Sequence, residues 1–336
     1  MRIPSVTLVG VTGYGGLYLK YLTKLHIAQR LRLRYAVVVN PEEATSALDT
    51  LAEHGTEVFS SLEELTASRS ATDWVCLPVG IPHHLPLTEQ SLNWGAQVLL
   101  EKPAAGDVRD WRALCAAEAA TGKKVRIGFQ HIHAPEIQEM KHALVRGEHG
   151  KVLSMSVEGY WPRGDAYYQR NSWAGKIRAN HRAVNDSPIQ NAFAHFLNLG
   201  LYLAGNEFDA WAIPDSVEGT LWRVRPDIET FDACRLRFTL PGEVPFDVTF
   251  SHACTKQKHP VLHLQTEKGV LEWRQEREPH MNMFEDILLR DAFSCSLTNA
   301  GAHIQAVELT RETLTVQSPA SAQKSKDGFW FAENIP

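Results

Sequence analysis

The sequence predicts a doubly wound parallel α/β sheet at the N-terminus, followed by an α+β domain with a large, mostly antiparallel open sheet. Strand and helix patterns alternate up to Gly128-Phe129-Gln130, which is typical of parallel sheets. Beyond that point, apolar and polar residues alternate in long runs with few helices between them, which is typical of antiparallel strands. We therefore expect two domains, at residues 1–129 and 130–336.

Six strands and five helices are expected in the first domain. Apolar runs predict strands at Ser5–Val9, Leu33–Val39, Glu57–Phe59, Asp73–Leu77, Gln97–Leu100 and Lys124–Ile127. Helical periodicity predicts helices at Gly15–Arg30, Pro41–His54, Leu62–Ala67, Pro82–Trp94 and Val108–Ala120. Strands joined by crossover helices in this way indicate a nucleotide-binding domain.

The second domain is expected to hold one broad sheet. Its predicted strands are Val152–Tyr160, Val217–Val224, Ala233–Leu240, Phe246–Ser251, Val261–Thr266 and Val270–Trp273, and its predicted helices are Pro135–Arg146 and Ser187–Leu203. Because an open sheet must cover its exposed face, we expect a homodimer or homotetramer formed through this sheet.

Composition limits the partners. The net charge of -5 and the pI near 6.3 do not favour nucleic acid or an anionic membrane as a partner. No apolar stretch approaches the roughly 20 residues of a membrane helix, and the first strand leaves no room for a signal peptide. The five scattered cysteines fit reduced thiols in a cytoplasmic protein better than disulfides.

A glycine-rich turn, Gly10-Val11-Thr12-Gly13-Tyr14-Gly15-Gly16, follows the first strand. Gly10 and Gly15 match the G-x-G-x-x-G dinucleotide pattern, whereas Thr12 stands at the middle glycine. We expect Gly10, Thr12, Gly13, Tyr14 and Gly15 to bind a pyrophosphate at the helix N-terminus. The alternative is an ordinary strand-to-helix turn.

The end of the second strand bears on the choice of dinucleotide. Asn40 stands where an acidic residue normally bonds the adenosine ribose. Glu42 and Glu43 would repel a 2′-phosphate, and no lysine or arginine lies beside them in the sequence. NAD is therefore the expected cofactor, with NADP not excluded.

Lys102 follows a buried strand and precedes Pro103, which cannot continue a strand ladder. The carboxyl ends of strands in open α/β sheets form the edge where ligands bind. Lys102 is therefore a candidate for proton transfer. The alternative is a surface lysine with its charge in solvent.

These segments together resemble the Gfo/Idh/MocA oxidoreductases, a family that includes glucose–fructose oxidoreductase and inositol dehydrogenase. The resemblance rests on Pro78 with His84, on Glu101-Lys102-Pro103, on Gly128-Phe129-Gln130 and on Asn191-Ala192-Phe193-Ala194-His195. In the family's Asp-x-x-x-His helix motif, His195 matches the histidine and Asn191 replaces the aspartate. An amide cannot ionise, so a proton relay through that position is in doubt.

The resemblance implies a Rossmann domain, a nicotinamide cofactor and hydride transfer on a sugar, cyclitol or related polyol. It implies Lys102 and His195 as the proton-handling residues, with Asn191 orienting a substrate hydroxyl. It implies further cofactor contacts at Pro78, His84, Glu101 and Gln130. Spacing i, i+4 on one helix would place Asn191 and His195 about 6 Å apart.

A loop rich in aromatic residues and arginine includes Tyr168, Arg170 and Trp173. Aromatic rings stack on sugar faces and guanidinium groups bond hydroxyls, so these three residues are candidate substrate contacts. A packed aromatic loop explains the same residues equally well. The histidine pairs have no zinc-site spacing, so no metal is expected.

Two other functions remain open on the sequence. One is a glycosidase-type reaction that uses the nicotinamide transiently to oxidise and then restore the sugar. The other is a sugar- or dinucleotide-sensing regulator without turnover, which the missing aspartate supports and which Lys102 and His195 oppose.

Overall fold

The computed structural model describes residues 2–336 and divides into two compact units. The first comprises the chain up to Ala104, Arg109–His133 and Pro279–Thr298. The second comprises Ala105–Val108, Ala134–Glu278 and Asn299–Pro336. The chain thus returns to the first unit for a segment of the C-terminal region.

The secondary structure follows, numbered in chain order. The strands are β1 Ser5–Val9, β2 Arg32–Val37, β3 Glu57–Phe59, β4 Trp74–Leu77, β5 Gln97–Leu100, β6 Val125–Ile127, β7 Val152–Tyr160, β8 Arg178–Ala179, β9 Arg182–Ala183, β10 Ser216–Trp222, β11 Ala233–Leu240, β12 Val244–Ser251, β13 Lys258–Thr266, β14 Gly269–Arg274, β15 Val316–Gln317, β16 Gln323–Lys324 and β17 Trp330–Phe331. The α-helices are α1 Tyr14–Ile27, α2 Thr45–Glu53, α3 Leu62–Ser68, α4 His84–Trp94, α5 Val108–Thr121, α6 Pro135–Val145, α7 Asp165–Gln169, α8 Ala194–Ala204, α9 His280–Phe284 and α10 Leu297–Thr313.

The first unit is built on a six-stranded sheet of order β3-β2-β1-β4-β5-β6. Every neighbouring pair in it is parallel, which confirms the predicted doubly wound sheet. The strand order reverses between β1 and β4, and such switch points are where open α/β sheets bind their ligands.

A C-terminal segment completes the core of the first unit. Met283, Phe284, Ile287 and Leu288, from α9 and the π-helix that follows it, pack in one cluster with residues of β1 and α1. The sequence analysis did not predict a helix here. The apolar side chains that fill this core are therefore contributed from both ends of the chain.

The second unit holds a seven-stranded sheet of order β14-β13-β7-β12-β11-β10-β15. The pairs β7–β12 and β10–β15 are parallel and the remaining pairs are antiparallel, so the predicted mostly antiparallel sheet is confirmed. Helix α8 lies close on this sheet, because a Cβ at Gly200 would come within 2.2 Å of the Phe246 ring. None of the described helices is long and apolar enough to cross a membrane.

The predicted helix Ser187–Leu203 is wrong at its start. Pro188–Ala192 forms a π-helix, Phe193 breaks the regular backbone, and only then does α8 begin. Asn191 and His195 therefore do not share one face of a continuous α-helix, and the estimate of about 6 Å does not apply to them.

A buried lysine caps the C-terminal end of α8. Lys141 is fully buried on α6, and its Nζ donates to the carbonyl oxygens of Tyr202, Gly205 and Ala210 at 2.6, 2.7 and 3.3 Å. Burial lowers the pKa of Lys141 to about 7, and the charge of Asp209 opposes that shift. The three N–H groups of an ammonium match these three carbonyls, of which Tyr202 lies in the last turn of α8 and the other two follow the helix.

Lys141→Met should destabilise the protein by about 3 kcal/mol, because it leaves several buried carbonyls without a donor. Chemical denaturation measures the loss. Lys151→Met, on an exposed lysine, is the control and should change the free energy of unfolding by about 0.5 kcal/mol or less. Equal stability of the two variants would contradict the capping role.

Candidate functional site

The glycine-rich turn has the shape that a dinucleotide phosphate needs. Gly10 has φ +87°, and a Cβ at Gly15 would lie 2.4 Å from the carbonyl oxygen of Gly10. Only glycine at position 15 allows this close approach of the two backbone segments. Beside the turn lies a cavity of about 480 Å³, lined by the turn, α1 and the start of α2.

Two of the predicted cofactor residues, Thr12 and Gly13, line this cavity. Thr12, Gly13, Tyr14 and Asn40 are exposed, and the Tyr14 hydroxyl bonds Nε2 of His280 at 2.8 Å. Asn40 precedes a short 3-10 turn, Pro41–Glu43. The cavity wall carries both Glu43 and Lys20, and the sequence analysis had not identified Lys20.

Pro78 and His84 are buried rather than exposed. Pro78 packs next to Gly15, within 3.7 Å of the Cβ position there. The His84 ring bonds the Val79 carbonyl at 3.0 Å, and burial lowers its pKa to about 4 against the effect of backbone hydrogen bonds. His84 is therefore neutral at physiological pH, and it shapes the turn after β4.

Glu101 is a buried anchor for the lysine beside it. Its Oε1 accepts from the Tyr18 hydroxyl at 2.7 Å, and its Oε2 accepts from the backbone N–H of Lys102 at 3.0 Å. Burial raises the pKa of Glu101, and the positive charge of Lys102 opposes that shift. Lys102 itself is half-buried, and the peptide bond between it and Pro103 is cis.

Gln130 opens the 3-10 turn Gln130–His133 and is 5% exposed. Its Oε1 is buried and has no hydrogen-bond partner among the described residues. Buried amide oxygens are rarely left without a donor. This oxygen is therefore an open acceptor among the predicted cofactor residues.

In the second unit, an aromatic stack lies where β7 and β12 end. The Phe193 ring stacks on Trp161 and Phe250, each with centroids 4.4 Å apart, and on His252 at 5.2 Å. Nδ1 of His252 lies 2.9 Å from the Trp161 carbonyl, and burial lowers the His252 pKa to about 3. A carbonyl only accepts, so Nδ1 carries the proton and the ring is neutral.

The predicted catalytic residues of the second unit, Asn191 and His195, flank Phe193 of this stack in the sequence. His195 lies in the first turn of α8 and is 8% exposed. Asn191 lies in the π-helix, is half-buried, and donates from Nδ2 to Oδ1 of Asp186 at 2.8 Å. The other carboxylate oxygen of Asp186 accepts from the backbone N–H of Gly175 at 2.7 Å.

The aromatic loop is tightly packed. The Arg225 guanidinium lies 4.7 Å from the Tyr168 ring and is ion-paired to Asp165 and Asp227. Arg170 lies over the rings of Tyr167 and Trp173, at 3.6 and 5.3 Å.

The cavity beside Tyr168 is very small. It measures about 10 Å³ and is lined by Tyr167, Tyr168, Asp186, Ser187, Pro188, Phe231 and His252. This volume has room for a single water at most. A sugar ring therefore cannot lie inside this part of the loop, although Arg170 remains exposed at its surface.

Several residues that contact the predicted site residues were not predicted from the sequence. Asp186 does not stand at the family's aspartate position, so the sequence did not single it out. Tyr18 and His280 carried no sequence signal, since their partners lie far away along the chain. Among the described residues, no group of three or more histidines, cysteines and carboxylates could hold a metal ion.

Tyr18→Phe should destabilise the protein by about 1–3 kcal/mol, because one oxygen of a buried carboxylate loses its donor. Denaturant titration gives the value. Tyr21→Phe on the same helix is the matched control, since no hydroxyl bond to a carboxylate is lost there. If the two variants unfold alike, Glu101 does not depend on Tyr18.

Residues 7–129 match the model of an oxidoreductase family described as having an NAD-binding Rossmann fold, GFO_IDH_MocA. A curated relative, YteT of Bacillus subtilis (strain 168), is 29% identical over 89 residues. That match spans 26% of this chain and only 21% of the relative. The similarity therefore applies only to the matched segment of each protein.

Solved structures resemble the chain over nearly its full length. The WlbA dehydrogenase of Bordetella pertussis has a TM-score of 0.78 at 18% identity, covering 93% of this chain and 96% of that one. The scyllo-inositol dehydrogenase of Lactobacillus casei has a TM-score of 0.71 at 15% identity, covering 93% and 97%. At these identities the likeness shows the fold. Residues 7–129 therefore form an NAD-binding Rossmann domain of the Gfo/Idh/MocA oxidoreductase type, and the chain shares the fold of these dehydrogenases over nearly its full length.

Proposed function

We propose that the protein transfers a hydride between a nicotinamide dinucleotide and a hydroxyl or carbonyl carbon of a sugar, cyclitol or related polyol. The observation that carries this proposal is Lys102, at the carboxyl end of a central strand and held by the buried Glu101 in an NAD-binding unit. Fold alone does not define the reaction, so the proposal rests on the residues at this edge.

The first unit fits a dinucleotide. Glycine at position 15 allows the close approach to the Gly10 backbone, and the adjoining cavity is about 480 Å³. Gly10, Thr12, Gly13 and Gly15 would hold the pyrophosphate, and Asn40 would bond the ribose. When bound, the nicotinamide accepts or donates the hydride.

Lys102 is proposed to move the proton at the reacting hydroxyl. Oxidation of an alcohol carbon requires a group that takes this proton, and reduction requires one that returns it. The backbone of Lys102 is fixed by Glu101, whereas its side chain is half-buried. A group held in this way can keep one orientation toward a substrate oxygen.

His195 and Asn191 are the proposed contributions of the second unit. A histidine can act as acid or base near neutral pH, which makes His195 the second proton-handling candidate. Asn191 is proposed to orient a substrate hydroxyl. Of the predicted loop contacts, Arg170 is the exposed one, and it is proposed as a hydroxyl-binding residue at the rim.

Structures of similar fold favour a polyhydroxylated substrate. The WlbA structure contains NADH and UDP-GlcNAcA, and the Lactobacillus casei structure contains NAD(H) and scyllo-inositol. Both ligands present several ring hydroxyls, which is the substrate class proposed for this chain.

Assembly as a homodimer or homotetramer remains a prediction. The sheet face away from α8 carries charged pairs such as Arg237 with Asp247 and Lys258 with Glu158. An interface on this face would therefore be polar.

Lys102→Ala should lower kcat at least 100-fold with NAD affinity unchanged, because it removes the proton-transfer group but no dinucleotide contact. NADH absorbance on a panel of sugars and polyols measures kcat, and calorimetry measures NAD binding. Lys256→Ala, at an exposed lysine, is the control. Product formation without net NADH would instead favour the glycosidase-type reaction, and a preserved ligand response without turnover would favour a sensor.

Gly15→Ala should weaken NAD binding at least tenfold, since its Cβ would lie 2.4 Å from a backbone oxygen and force the turn open. Gly16→Ala is the matched control, because its Cβ would meet its nearest atom at 3.5 Å, an ordinary contact. Calorimetry with NAD separates them. Equal affinities would place the dinucleotide elsewhere.

A further inference from the structure

Asp186 and Asn191 form a carboxylate–amide pair in which one member is buried and the other is accessible. Asp186 is 5% exposed, whereas Asn191 is half-buried. Nδ2 of Asn191 donates to Oδ1 of Asp186 at 2.8 Å. Asn191 is therefore the more accessible residue of the pair.

The hydrogen bond between these two side chains can have only one direction. An ionised carboxylate accepts hydrogen bonds and donates none, so the NH₂ group of Asn191 must face Asp186. The amide is planar, and its carbonyl oxygen therefore points away from Asp186.

Asp186 is itself fixed from several directions. Its Oδ2 accepts from the backbone N–H of Gly175 at 2.7 Å, and its carbonyl oxygen accepts from the Thr230 hydroxyl. Burial and the Asp186 charge raise the pKa of Tyr167 to about 12. The neighbouring Tyr167 therefore stays protonated beside Asp186.

We propose that Asp186 is a positioning residue that holds the Asn191 carbonyl oxygen toward a substrate hydroxyl. This inference rests on the proposed function, since it names the group that a polyol hydroxyl would donate to. It also accounts for an asparagine at position 191: a second carboxylate 2.8 Å from Asp186 would repel it.

Asp186→Asn tests the polarity directly. Its amide oxygen can still accept from Gly175, but its NH₂ group then faces position 191. Asn191 must rotate by half a turn to accept that bond, which presents a donor to the substrate instead of an acceptor. We expect kcat/KM for the polyol to fall at least tenfold, with NAD affinity unchanged and the melting temperature within a few degrees.

Asn191→Asp should lose at least tenfold in kcat/KM and several degrees in melting temperature, because two carboxylates then face each other. The double variant D186N/N191D reverses the pair while keeping every donor and acceptor. The new amide at position 186 would accept from Gly175 and donate to the new carboxylate at position 191, whose second oxygen would face outward. The kcat/KM should return to within about threefold of the parent value, and the melting temperature to within a few degrees of it.

Two results would overturn the inference: D186N with wild-type kcat/KM, or a double variant no better than the worse single one. A purely structural role predicts the first result, since D186N keeps the Gly175 bond. The side-chain amide resonances of Asn191, followed by NMR, give a readout without turnover. They should shift in D186N and stay unchanged in Lys102→Ala, so an inactive parent protein would overturn the proposed function and not the pair.

Discussion

The position of Lys102 depends on a carboxylate that cannot reach water. Glu101 is 5% exposed, and an ionised group at that depth is stable only when donors replace its lost hydration. One donor is the Tyr18 hydroxyl from α1, and the other is the backbone of Lys102 itself. The same bonds that satisfy Glu101 therefore fix the backbone of Lys102, the second residue after β5.

In the second unit, hydrogen bonds from buried side chains likewise hold the segment that carries Asn191. The segment from Asn185 to Asn191 makes side-chain bonds to two other parts of the chain, residues 105–106 and Gly175. Asn185 donates to the Gly106 carbonyl at 2.7 Å, Gln190 donates to the Ala105 carbonyl at 3.0 Å, and Asp186 accepts from Gly175. Such bonds hold a π-helix that propensity alone would not favour. Asn191 thus stands on a rigid support, which is what a substrate-orienting group needs.

The sequence predicted several strands with the observed bounds, and its failures have two causes. β1, β3, β5, β7 and β11 have the predicted bounds, because alternation and flanking turn residues are local signals. The split of the helix before α8 was not visible, since an inserted residue changes spacing without changing composition. The helix Leu297–Thr313 and the segment from Pro279 were missed because the surfaces that they pack against are distant in sequence.

The candidate site also has a part that the sequence predicted and a part that only the structure shows. Position at a strand end and family resemblance were enough to select Lys102, His195 and Asn191, and those assignments remain predictions. The sequence could not reveal that Asp186 contacts Asn191, because a separation of five residues joins side chains only in a π-helix or an irregular turn.

That contact changes how the asparagine is interpreted. Read alone, Asn191 in place of an aspartate suggests a lost catalytic charge. In the structure the charge lies one side chain deeper, on Asp186, and the accessible member of the pair is neutral. A neutral amide can orient a hydroxyl but cannot take its proton. In the proposed reaction, proton transfer is therefore left to Lys102 or His195, and the lysine variant and the carboxylate–amide swap probe separate steps of that reaction.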